Sequence, residues 1–269
     1  MKVIVSHDVD HITALEHLGD NILMKLGIKS IIELTRGKIS RSEFANRIKE
    51  VCYNRFQNIR ELIEFDLENK IPATFFLGVA NGLGLSYSFS DASKWAKIIQ
   101  LKGFDIGIHG IECTDLNIMK EEYEKFQLLI NDNQFGIRIH YLRTDERTLL
   151  KLDKLHYLFD SSSESISDCY KIGLLWEFPV HIMDGRIWYH QKRFQNDLTK
   201  TMKKKTLEII EAVKSQNIRY LTILFHDRYF SPSYLTFKSW YLWLIEYLQN
   251  QHFEFISYRQ AVRELTKIT

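Results

Sequence analysis

MKVIVSHDVDH, residues 1–11, decides how the rest of the chain is read. Val3, Ile4 and Val5 form a β-branched apolar run of the kind that favours a strand. Past Ser6 the run ends in a cluster of ionisable residues, His7, Asp8, Asp10 and His11. Side chains alternate along a strand, so Asp8 and Asp10 share a face and Val9 points away. Two carboxylates side by side repel, and one of them needs a cation or a proton to be tolerated.

Working outward, similar short runs recur at 73–78, 105–109, 137–142, 157–160, 176–180, 220–226 and 253–256. Segments with helical spacing separate most of them. Strands alternating with helical patterns predict βαβ units and a parallel sheet. A near-continuous apolar run such as LTILF (221–225) fits a strand covered on both faces. Ser40 and Glu43 are spaced as a capping box, and Phe44, Ile48, Val51, Cys52, Ile59, Leu62 and Ile63 follow at helical spacing. A further helix starts near Ser90 and stops at Gly103; 201–215 and 236–250 are amphipathic, and Ser257 caps the last helix. The stretch 12–69 is too long for one crossover. It is read as a helical insertion after the first strand, within a single domain spanning 1–269, because no Pro/Gly/Ser-rich linker isolates it.

The ionisable residues gather at the carboxyl ends of these strands. One strand ends in Gly107-Ile108-His109-Gly110, another carries Arg138 and His140 on one face, and a later one runs into His226. Active sites of α/β barrels lie at that face and draw on several strands. One carboxylate with two neutral imidazoles makes a set that suits Zn²⁺, Fe²⁺ or Co²⁺ and leaves positions open. A remaining Asp can take a proton from water, and a remaining His can protonate a departing amine. That is the inventory for hydrolysing an amide or ester.

Composition bounds the rest. The 36 basic and 34 acidic residues nearly cancel, for a net charge of +2, which excludes a nucleic-acid binder working by bulk charge. Lys203, Lys204 and Lys205 read as a solvated helix face. Three cysteines, Cys52, Cys113 and Cys169, predict no disulfide framework and fit a reducing, cytoplasmic setting. The amino terminus turns ionisable too soon for a signal peptide, and no run approaches the length of a membrane span.

The motifs VSHDVDH (5–11), IPATFFLG (71–78), GFDIGIHG (103–110), FGIRIHYLR (135–143), YLFDSSSE (157–164), WEFPV (176–180) and LTILFHDRYF (221–230) together resemble the polysaccharide deacetylases. This is the NodB-homology group, carbohydrate esterase family 4, and the likeness is to its HDVD-type subgroup. The resemblance implies a deformed (β/α)7-type barrel and removal of an N- or O-acetyl group from a sugar with one divalent metal. Zinc is expected, with cobalt, iron or nickel as alternatives. It implies Asp8 as general base, Asp10 and His109 as metal ligands, Arg138 as the arginine that holds Asp8, and His226 as general acid, oriented by Asp184 or Asp160. The family's second histidine of this motif is here Cys113, so the third ligand is His140 by the subgroup's pattern. Cys113 is the rival, with Glu112 and Asp115 behind it. His7, His11, Arg143, Arg228, Trp176 and Tyr229 are expected to line the sugar site. The substrate implied is an N-acetylated sugar, free or as a nucleotide- or lipid-linked precursor of a surface polysaccharide such as O-antigen or capsule. Two other classes share parts of this inventory: a two-metal phosphoesterase, and a non-catalytic sugar-binding relative.

Overall fold

Strand β1 (Lys2–Val9) sits inside a sheet that also contains β2 (Thr74–Leu77), β3 (Asp105–Gly110), β4 (Ile137–Ile139), β5 (Phe159–Asp160), β6 (Tyr170–Ile172), β7 (Leu175–Glu177), β8 (Ile182–Met183) and β9 (Tyr220–Leu224). The structure, a computed structural model, describes residues 1–189 and 198–268. Among these the sheet order is β6-β7-β5-β4-β3-β2-β1-β9-β8. Every neighbouring pair is parallel except β6 with β7. The sheet curls into an open half-barrel, a mixed α/β fold.

Strands β2 and β9 are buried along their whole length, which is why they read as unbroken apolar runs. Alternation divides β1 between two layers. Val3, Val5 and Val9 pack into the main core with residues of the flanking helices, whereas Ile4 packs with Phe76, Phe159, Phe178 and Tyr258 in a second cluster. The expected strand at 253–256 is reduced to a single bridge between Val3 and Phe255. β9 pairs with residues 2–6 of β1 on one edge and β2 with residues 6–9 on the other, so little of β1 remains open to it. β6 and β8 were not foreseen; three and two residues are too few to show a period.

Three helices lie between β1 and β2: α1 (Ile22–Thr35), α2 (Arg41–Cys52) and α3 (Ile59–Glu68). The Ser40 hydroxyl accepts from Glu43 N–H, and the Glu43 carboxylate accepts from Ser40 N–H, so the capping box forms. The helical spacing that runs on to Ile63 is interrupted after Cys52, where Asn54 takes a φ of +52°. α3 buries Ile59, Leu62, Ile63 and Asp66 and serves as the crossover to β2. α2 is latched to the segment after β9: Arg47 donates to Ser233 O, Glu43 accepts from Leu235 N–H, and Glu50 accepts from Ser233 Oγ.

Downstream come α4 (Phe89–Leu101), α5 (Leu116–Ile130), α6 (Glu146–Lys154), α7 (Asp184–Tyr189), α8 (Leu198–Ser215), α9 (Leu235–Asn250) and α10 (Tyr258–Ile268). α4 is capped by Ser88, two residues before the expected start, and is followed by Gly103 at φ +83°. Ser257 caps α10 through Gln260 N–H. Tyr258, the first residue of α10, faces the second cluster and meets Arg138 and Ser161.

Candidate metal and hydrolytic site

The site is assembled from residues at or just past the carboxyl ends of parallel strands, where alternation and chain exit leave polar groups facing one space. Asp10 follows β1, His109 lies in β3, Arg138 in β4, His140 in the 3-10 turn after β4, and His226 directly after β9. Asp184 opens α7 immediately past β8.

His109 Nε2 lies 3.1 Å from Asp10 Oδ1 and 2.9 Å from His140 Nδ1, and the latter is 3.4 Å from Asp10 Oδ1. The other nitrogen of each ring settles the tautomer. His109 Nδ1 is 3.0 Å from Arg138 O and His140 Nε2 is 3.3 Å from Leu83 O. A carbonyl can only accept, so those nitrogens carry the ring protons. What faces inward is the second nitrogen of each imidazole and a carboxylate oxygen, all within 3.4 Å of one another. Such a group calls for positive charge between its members, a proton or a metal ion, and backbone carbonyls fixing the outer nitrogens are how metal-binding histidines are oriented. The three ligand atoms lie within 4.8 Å of one another, so the residues fit a divalent ion. Burial pushes the Asp10 carboxyl up, but hydrogen bonds from His109 and His140 outweigh it and hold it well below the usual carboxylate range. Burial lowers His109, and Asp8 and Asp10 more than reverse this, so protons compete with a cation for the ring.

Asp8 stands beside this group, with Oδ2 3.8 Å from His109 Nε2. Burial alone would raise its pKa; the Arg138 guanidinium at 2.8 Å, helped by His109 and His226, holds it below the ordinary value. Arg138 is itself fully buried and donates to Ser6 Oγ, Ser161 O, Ser161 Oγ and Tyr258 Oη, with its guanidinium 4.3 Å from the centre of the Phe76 ring. Its orientation is therefore fully determined, and with it that of Asp8. On the far side of Asp10, His226 Nε2 is 3.6 Å from Asp10 Oδ2. Asp184 accepts from both His226 Nδ1 (2.9 Å) and His226 N–H (2.7 Å). Burial disfavours the His226 cation, but Asp184, with Asp10 and Asp8, lifts its pKa to about 10. The arrangement thus offers a proton acceptor and a charged proton donor flanking three cation ligands.

The structure chooses between the partners left open above. Asp184 contacts His226; Asp160, in β5, accepts from Ser162 N–H and Oγ instead and lies beside Glu177 of β7. Cys113 is outside the ligand group, packed against the main core. Glu112 accepts from the Thr114 hydroxyl and from three successive backbone N–H groups, Cys113 to Asp115, which in that order of weight bring its pKa down to about 2. Asp115 caps α5. Both carboxylates are consumed by the loop.

His7 and Trp176 lie away from this group, and the other expected site residues around it are held by local contacts. His7 is 0% exposed, on the opposite face of β1 from Asp8, and bonds to Asp66 Oδ2 and Phe225 O at 3.0 Å each. It cannot meet a sugar, and the alternation that paired Asp8 with Asp10 already excluded it. Trp176 is packed among Phe159, Phe178 and Cys169 with Lys171 over its ring. Arg143 ties the loop after β3 to the turn after β4, donating to Ile111 O and His140 O. Arg228 lies over the Phe56 ring at 3.8 Å and donates to Tyr234 Oη. His11 is lowered to about 3, first by burial and then by Arg228, and its ring meets His17 edge-on. Tyr229 is half-buried, stacks on Phe237 and meets the His226 ring edge-on at 5.8 Å. Tyr87 was missed: its hydroxyl donates to Val9 O at 2.9 Å and accepts from Gly78 N–H at 2.6 Å, tying the ends of β1 and β2 together. A lone tyrosine in a loop gives no sequence signal for such a brace.

No protein-family model and no curated protein matches this sequence. Solved structures do match in shape. A Mycobacterium smegmatis protein assigned as a polysaccharide deacetylase aligns over 99% of this chain and 91% of its own, at 14% identity and a TM-score of 0.62. The PuuE allantoinase aligns over 97% and 88% at 13% identity and 0.59. A Pseudomonas aeruginosa PAO1 protein, also assigned as a polysaccharide deacetylase, aligns over 97% and 88% at 12% identity and 0.58. At such identities the likeness is one of fold: this chain has the curled α/β half-barrel of the NodB-like deacetylase structures.

Proposed function

We propose that the chain is a metal-dependent hydrolase that removes an acetyl group from an amino sugar. The observation that carries this reading is the convergence of Asp10, His109 and His140 as three ligand groups, with Asp8 clamped by Arg138 beside them. Asp10, His109 and His140 would hold the ion, for which zinc suits a two-histidine, one-carboxylate set. When bound, the ion supplies Lewis acidity to water and to the acyl carbonyl. Asp8, kept ionised by Arg138, accepts the proton of the attacking water as its oxygen bonds to the acyl carbon. His226, cationic at neutral pH and aimed by Asp184, delivers a proton to the departing sugar nitrogen, releasing acetate and the free amine.

The fold shared with polysaccharide deacetylases and the sequence motifs support a carbohydrate substrate. We take it to be an N-acetylated sugar on a nucleotide- or lipid-linked precursor of a surface polysaccharide, handled in the cytoplasm. Asp8→Asn should bind one equivalent of zinc normally and lose about 10²–10⁴-fold in turnover on an N-acetylated sugar. Asp10→Asn and His109→Ala should lose the ion. Near-normal turnover in Asp8→Asn would overturn the assignment.

A further inference from the structure

α1 has the sequence ILMKLGIKSIIELT, and only Ser30 in it is buried. Met24, Ile28, Ile31 and Ile32 are between 42% and 58% exposed. At 100° per residue these four fall within an arc of about 100°, a continuous apolar stripe. Lys25, Lys29 and Arg36, all exposed, follow along one border of that stripe within about a further 60°. Single exposed apolar residues need no explanation; a stripe of them on one helix marks a surface that something covers.

Charge identifies the occupant. Residues 21–41 carry five basic groups (Lys25, Lys29, Arg36, Lys38, Arg41) against Glu33 alone, more positive charge than the whole chain's net +2. Glu33 is matched first by the buried Arg47 at 2.6 Å and more distantly by Lys29 at 3.9 Å, and the remaining balance of the segment is basic. An apolar stripe bordered by Lys and Arg on a short helix is built to lie in the plane of an anionic lipid surface. Fourteen residues reach only about 21 Å, short of the roughly 30 Å hydrocarbon core, and no described helix is long and apolar enough to cross a membrane.

The stripe is joined to the site. Ile22 at the start of α1 packs against Gly84, and the same turn presents Leu83 O to His140 Nε2 and to the Tyr141 hydroxyl. Leu83 and Tyr141 are exposed there by 50% or more. We propose that α1 docks the chain on an anionic lipid surface and sets the site rim beside it, so that the substrate is an acetylated sugar carried on a lipid anchor. The docking stands on α1 itself; the substrate half rests on the hydrolase reading given above.

The test is flotation of the full chain with vesicles of phosphatidylcholine and phosphatidylglycerol (3:1) and of phosphatidylcholine alone. Binding is expected to the anionic vesicles and to weaken on raising the salt. Each basic group near such a surface is worth about fivefold in affinity, so Lys25→Glu/Lys29→Glu should bind at least tenfold more weakly. Ile28→Glu/Ile31→Glu should do the same, with Ile28→Ser/Ile31→Ser as the neutral control and circular dichroism to verify folding. Asp10→Asn should float like the parent chain. The stripe variants should keep normal turnover on a water-soluble acetylated sugar and lose it selectively on a vesicle-borne one. Failure to float, equal flotation of all variants, or a dimer abolished by Ile28→Glu/Ile31→Glu that ignores vesicles would each overturn the docking. Flotation without hydrolysis of either sugar would leave the docking standing and remove the hydrolase reading.

Discussion

Asp8 shows how much one buried charge depends on its neighbours. Beside Asp10 and out of water it would take up a proton; the Arg138 guanidinium at 2.8 Å prevents this. His7, one position earlier, belongs to a different structure altogether, bonded to Asp66 beneath α3. Replacing His7 by Leu leaves the Asp66 carboxyl buried without its hydrogen-bond partner and should cost about 1–3 kcal/mol in urea unfolding. KM for the acetylated sugar should stay at the parent value, since the ring is not in the site; a KM rise without loss of stability would place His7 back among substrate contacts.

Between elements, single side chains set the spacing of strand ends. Tyr87→Phe removes the bridge between Val9 O and Gly78 N–H, both buried, and should cost about 1–3 kcal/mol. Because Asp10 is the residue after Val9, zinc affinity measured by competition with a chelating dye should fall with it. β5 and β7 pair in parallel, which sets the buried carboxyl groups of Asp160 and Glu177 side by side. Burial first, and the Glu177 charge next, raise the Asp160 pKa well above its ordinary value. The unfolded chain releases that proton near pH 4 while the folded one retains it, so stability is lost as pH rises above about 4 until the folded group ionises. Asp160→Asn removes the penalty. Relative to the parent, its stability in urea should improve by at least about 1 kcal/mol between pH 4.5 and 7. A constant difference across that range would mean that Asp160 is already ionised in the fold.

For the whole molecule, the proposed ion binds only when the carboxyl ends of β1, β3 and β4 are in place, so binding energy becomes folding energy. Zinc at one hundred times its Kd should add about 2.7 kcal/mol, seen as a rise in Tm that a chelator reverses. The effect should shrink on acidification, as His109 is protonated in competition with the ion. A Tm indifferent to zinc and chelator at neutral pH would remove the ion from the site.

Strand and helix types, the parallel sheet and the gathering of Asp8, Asp10, His109, Arg138, His140 and His226 at one sheet edge were legible in the chain itself. They follow from periods of two and 3.6 residues and from where apolar runs stop. The same period of two, applied one residue further, would have placed His7 in the helix layer. Which carboxylate meets His226, and whether His140 or Cys113 faces Asp10, depended on which strands become neighbours and on how the loop after β3 consumes Glu112. Those contacts join residues 31 to 99 positions apart or more, and no local spacing encodes them. Local preference acts over a few residues, whereas a ligand set is a statement about distance in space, which only the packed sheet defines.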